Sequence, residues 1–135
     1  MKRLLFVMLM MVCSVSWAEW ELCSSGGEGD EKMLVYCDKS TIKRNGSISR
    51  IWELTNSSKA RMDSLGNRFM SDKALMTYNC REEAVAIISL VLYSGLNGEG
   101  NVVWSGTRQE REYKWEPIVP GTHGENLWKI ACGKK

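Results

Sequence analysis

His123 is the only histidine in the chain, and Pro117 and Pro120 are its only prolines. A single imidazole without a recognisable nucleophile and orienting partner gives no catalytic set. Beside Gly124 it reads as a surface residue at the start of a helix. C-x-x-C pairs are missing, so the close ligand pairs of a structural zinc site are not there. The run Gly95-x-x-Gly98-x-Gly100 lacks both the helix start and the Lys-Ser/Thr ending of a phosphate loop, and reads as turn chemistry. Glu82-Glu83 are sequence neighbours in a turn, where side chains diverge, so they read as solvated charge rather than paired carboxylates. No cofactor is implied. After residue 18 no apolar run approaches the roughly 20 residues needed to span a bilayer.

What is present begins with an export signal. Lys2 and Arg3 precede an unbroken apolar run from Leu4 to Val12, and Ser16-Trp17-Ala18 places small residues at a cleavage site before Glu19. This layout predicts a signal peptide over residues 1–18 and one domain over residues 19–135. Cys13 follows Met10-Met11-Val12, and valine is the wrong size for lipoprotein cleavage, so soluble export is expected over lipidation. Cleavage would remove two basic residues and no acidic one, which cancels the formal charge of +2. A balanced chain of this kind gives no reason to expect nucleic acid or an anionic membrane as partner.

Cys23, Cys37, Cys80 and Cys132 remain after cleavage, an even set that predicts two disulfides in an oxidising compartment. Three pairings are possible in principle. Residues 19–23 and 32–37 alternate or concentrate apolar side chains as strands do, around a Ser/Gly-rich loop. A hairpin centred near residue 30 would set Cys23 directly opposite Cys37, within bridging range. Cys80 is then left to pair with Cys132.

Residues 38–44 read as a polar connection and Asn45-Gly46 as a turn. Residues 47–55 form a third strand, and residues 56–73 a long irregular connection with at most a helical turn. Asn56-Ser57-Ser58 fits the N-glycosylation pattern, a weak three-residue signal. Residues 74–80 alternate as a fourth strand. The β-branched run over 85–93 reads as a central strand, with a helical turn as the alternative, and Val102-Val103-Trp104 opens its hairpin partner. Residues 108–114 are a charged loop, and the prolines keep residues 115–120 extended. Thr122-x-x-Glu125 is a capping-box pattern, followed by Leu127, Ile130 and Ala131 at helical spacing and by Gly133 at a C-cap position. The expected fold class is therefore α+β: one antiparallel sheet of about six strands with a C-terminal helix packed on it, stapled by disulfides.

Lys39, Lys43, Arg44 and Arg50 form the one local basic cluster, a candidate contact for an acidic partner and otherwise a solvated face. Trp52, Trp104, Trp115 and Trp128 are assigned to the core in preference to a binding platform.

In order and spacing, Ile51-Trp52-Glu53-Leu54, Tyr78-Asn79-Cys80-Arg81, Tyr93-Ser94-Gly95, residues 115–122 and Leu127-Trp128-Lys129-Ile130-Ala131-Cys132 resemble the surface-adhesin protein E family of Gram-negative bacteria. The resemblance covers most of residues 19–135. It implies an antiparallel sheet with a C-terminal helix held by a disulfide, in agreement with the Cys80–Cys132 pairing. It also implies a non-enzymatic binding module whose partner is a protein, such as a host extracellular-matrix or serum protein. The alternatives are a periplasmic envelope-accessory protein and, further off, a small hydrolase or enzyme inhibitor. Oligomeric state is not legible.

Overall fold

The computed structural model describes residues 18–135. The expected signal peptide lies outside the described residues except for Ala18. The order of elements is β1 (Glu21–Gly26), β2 (Met33–Asn45), β3 (Ile48–Met62), β4 (Arg68–Asn79), β5 (Ala84–Tyr93), β6 (Val102–Thr107), β7 (Glu116–Pro117) and α1 (His123–Cys132). The first six strands form an antiparallel meander in sequence order, and β7 returns to pair with β5 beside β6. The expected sheet with its terminal helix is present, but β3 and β4 are the central strands. The apolar run over 85–93 lies one place further out.

Helix α1 covers one face. Leu127, Trp128, Ala131 and Cys132 pack with Val35 and Cys37 of β2, Ile51 of β3 and Tyr78 of β4, each below 10 % exposure. Opposed residues share a face, and the register of β2, β3 and β4 brings these side chains to one side. The helix begins at Thr122, whose hydroxyl accepts from the Glu125 N–H at 3.4 Å. Only half of the expected capping box forms, because the Glu125 carboxylate accepts from the Gly121 N–H at 3.0 Å and pairs with Lys129 at 2.7 Å. At the other end Gly133 sits at φ 64°, and the N–H groups of Gly133 and Lys134 donate back to Ile130 and Lys129. This double bond-back is a Schellman closure, which favours glycine.

Both expected disulfides are formed. Cys80–Cys132 fastens the helix to the end of β4, with a Cα separation of 5.6 Å. Cys23–Cys37, at 5.9 Å, staples β1 to β2. The register differs from direct opposition: Cys37 faces Glu21, and Cys23 is the extra residue of a bulge between Leu22 and Ser24. The bulge kinks β1 locally, and the bond closes across the kink.

Two segments read as connections are strands. Residues 38–44 continue β2 past an irregularity between Asp38 and Lys43, where the Asp38 carboxylate accepts from Ser40 and the Trp52 N–H donates to the Thr41 hydroxyl. Residues 56–73 are the distal half of a long hairpin, β3 to Met62 and β4 from Arg68. Its polar side chains are largely used by the fold. Asn56, at 9 % exposure, trades two hydrogen bonds with Asn97, its Nδ2 donating to Asn97 Oδ1 at 2.7 Å and its Oδ1 accepting from the Asn97 N–H. Ser71 Oγ donates to the Gly95 carbonyl and accepts from the Gly98 N–H. The β5–β6 connection thus folds back over the sheet face away from α1, and the glycosylation-pattern asparagine is its clasp.

Candidate functional site

The β2–β3 turn sets the candidate basic residues. Lys43 and Arg50 are direct cross-strand partners on one face, while Arg44 pairs with Ser49 on the other. Like charges placed opposite one another are unfavourable unless something between them compensates. Glu110, from a single 3-10 turn after β6, lines the same groove of about 310 Å³ with Lys43, Arg44 and Arg50. Arg44 has a structural task as well. Its Nε donates to the Ala131 carbonyl at 3.0 Å, where Ser49 Oγ also donates at 2.6 Å. A guanidinium there opposes the negative end of the α1 dipole. Lys39 lies away from this group, exposed and paired with Glu21 at 2.9 Å. The four residues therefore resolve into a facing pair, a helix anchor and an outlying lysine.

His123 is more than a surface residue. Its Nδ1 lies 2.6 Å from Ser24 Oγ, and Asn126 Nδ2 donates to the same oxygen at 2.9 Å. The serine hydroxyl carries one proton and two lone pairs, so it bonds both Asn126 and the ring, and the tautomer of His123 sets which way the second bond runs. The imidazole packs so closely on β1 that a Cβ on Gly26 would stand 2.8 Å from Nε2. Ser24 is 6 % exposed, so this serine–histidine contact binds the helix start to β1 and offers no open nucleophile. The sequence pattern holds no sign of it, since the two residues are 99 positions apart.

Two of the four tryptophans assigned to the core are exposed. Trp128 is 8 % exposed and Trp52 half-buried, but Trp104 and Trp115 are 38 % and 43 % exposed. Both lie on or beside the outer strands, where no layer covers them. Trp115 meets Tyr113 edge-on at 6.3 Å.

A buried polar group on the helix face was also missed. Glu53 sits between Ile51 and Thr55 in the inward alternation of β3 and accepts from the Tyr78 hydroxyl. Burial pushes its carboxyl up to about 8; the tyrosine hydrogen bond opposes the rise and the charge of Asp72 adds to it. Burial, with the Glu53 charge, likewise drives the Tyr78 phenol upward. Asp72 is raised by burial against the pull of Arg61, its ion-pair partner. The signal was available: Glu53 follows Ile51 by two residues in a strand whose odd positions face inward.

Among the described residues no cluster of three or more histidine, cysteine or carboxylate side chains could hold a metal, and no helix is long and apolar enough to cross a membrane. No curated protein matches the chain. Solved structures do. Crystal form II of Haemophilus influenzae protein E superposes with a TM-score of 0.54 at 15 % identity, over 86 % of this chain and 97 % of that one. A selenomethionine form of the same protein gives 0.53 at 13 % identity, covering 84 % and 94 %. Protein E from a non-typeable strain gives 0.51 at 14 % identity, covering 85 % and 83 %. These likenesses concern the fold. The family model for surface-adhesin protein E matches residues 20–133, nearly the whole described chain, and the protein belongs to that family.

Proposed function

We propose that this protein is a non-enzymatic, exported binding module that works at the cell surface by presenting a stapled sheet to a protein partner, with host extracellular-matrix or serum proteins as the partner class. The observation that carries this reading is the family match over residues 20–133, which takes in every strand and the helix. The signal peptide read over residues 1–18 supplies the route out of the cytoplasm. The Lys43–Arg50 pair, open on the sheet face away from α1, is the contact assigned to an acidic partner surface. The second reading is a periplasmic accessory role. It is favoured by Val12 before Cys13, which argues against a lipid anchor at the surface.

Protease shaving of intact cells separates the two readings: surface display predicts loss of the protein, and full protection sinks the adhesin reading. For the patch, a Lys43→Ala/Arg50→Ala double variant is expected to lower binding to an immobilised matrix protein about tenfold at low salt, with the difference shrinking as salt rises. Unchanged binding would remove these two residues from the interface.

A further inference from the structure

The helix-facing side of the sheet extends past the start of α1. There β3 and β4 lose register. Asn56 pairs with Ser71, the next pairing is Arg61 with Phe69, and residues 57–60 stand against Met70 alone. Ser57 still pairs with Met33 of β2. An irregularity of this kind bends one strand and redirects its side chains. Here it opens a groove of about 410 Å³ lined by Met33, Ser57, Lys59, Arg61 and His123, with Glu31 and Lys32 contributed by the β1–β2 loop. That volume lies within the usual range of small-ligand sites.

Two buried donors in the lining lack partners. Ser57 is 6 % exposed and its Oγ bonds to nothing among the described residues. Arg61 Nε is equally unpaired and buried, although the Nη2 of the same guanidinium is held by Asp72. The guanidinium is fixed in position, its carbon 4.5 Å from the centroid of Phe69. Buried donors are nearly always satisfied in folded proteins, so two unpaired ones in a single lining call for a partner. The charges of the lining run in the same direction: Lys32, Lys59 and Arg61 stand against Glu31, with Asp72 engaged behind Arg61. Two unpaired buried donors, three cations against the one Glu31 carboxylate, and an apolar wall together specify a ligand that brings acceptors and negative charge on an apolar frame.

We propose that this groove binds a small carboxylate with an apolar body, the carboxylate accepting from Ser57 Oγ and Arg61 Nε while the body lies along Met33. The site is distinct from the Lys43–Arg50 pair and does not rest on adhesion.

Titration of the isotopically labelled protein with N-acetyl-L-phenylalanine and with its neutral amide tests it by amide chemical shifts. The carboxylate is expected to give saturable shifts at Ser57, Arg61 and His123, and the amide to bind about tenfold more weakly. Ser57→Ala is expected to weaken the carboxylate about fivefold, the effect of one lost hydrogen bond, while the thermal midpoint holds or rises because an unpaired hydroxyl has gone. A purely structural serine would show the reverse, a lower midpoint with unchanged affinity, and that result overturns the proposal. Equal binding of acid and amide, or no saturable shift with either, overturns it as well.

Discussion

Glu53 shows what a single residue can impose on the whole domain. Its carboxyl is held at about 8 in the folded protein against an ordinary value of 4.5. Between those values the native state binds a proton that the unfolded state has released, so stability falls as pH rises across that window. Below the ordinary value both states are protonated and the contribution is fully present; above about 8 it is lost. Asp72, raised by burial, adds a penalty of the same sign. Equilibrium unfolding is therefore expected to show a declining free energy from about pH 5 to pH 8. Glu53→Gln keeps an acceptor for Tyr78 and cannot ionise. It is expected to flatten the decline and to be more stable than the parent at high pH by a few kcal/mol, on the order of what such a shift implies. A wild-type profile that is flat, or rises, over this range would show that Glu53 titrates normally.

At the scale of elements, the β3–β4 hairpin divides what could be read from the chain from what could not. Its proximal half was legible because Ile51, Leu54 and Tyr78 announce buried positions and Met76 a half-buried one. Its distal half was not, because apart from Phe69 the buried positions there are polar: Asn56, Ser57, Ser71 and Asp72. Asn56, Ser71 and Asp72 are buried because the β5–β6 connection and Arg61 meet them with hydrogen bonds, partners up to 41 residues distant. Polarity patterns report solvent exposure, and they fail where polar groups are satisfied inside. The helix, with its N-cap threonine, spacing and closing glycine, was legible, though half of its capping box went to Gly121 and Lys129; the Ser24–His123 contact that seats it was not. The basic cluster was visible as composition, but only strand register separates the Lys43–Arg50 pair from Arg44.

The turn of that hairpin is held by one side chain. Asp63 accepts from the N–H groups of Leu65 and Asn67 and from Asn67 Nδ2. The Asn67 side chain is the main cause holding its carboxyl below the usual carboxylate range, with the backbone donors adding to it. Asp63→Ala is expected to loosen this end alone. Amide exchange should quicken across residues 61–69 and stay unchanged along β1 and α1. Exchange that quickened uniformly would mean that the turn supports the global fold.

The molecule as a whole is a meander closed by a strap. In the chain-entropy model a crosslink over 52 positions contributes about 4 kcal/mol, and one over 14 positions about 3. Cys80→Ser/Cys132→Ser also releases the helix that covers Val35, Ile51 and Tyr78. This variant is expected to lose at least that larger amount in chemical denaturation and to bind a hydrophobic dye. Cys23→Ser/Cys37→Ser is expected to lose less and to keep the helix docked. Equal losses without dye binding would show that α1 stays in place without its bond.

The strap also sets an order in time. Strands β1 to β6 each pair with a neighbour in sequence, so hairpins can close as the chain lengthens. The helix cannot, because it is the last element and its docking residues lie as far back as Ser24. Until residues 123–132 arrive, the sheet stands with one greasy side uncovered and Cys80 without its mate. That ten-residue helix is thus the latch of the molecule, and the interval before it closes is when the chain is most open to wrong contacts and wrong thiol partners.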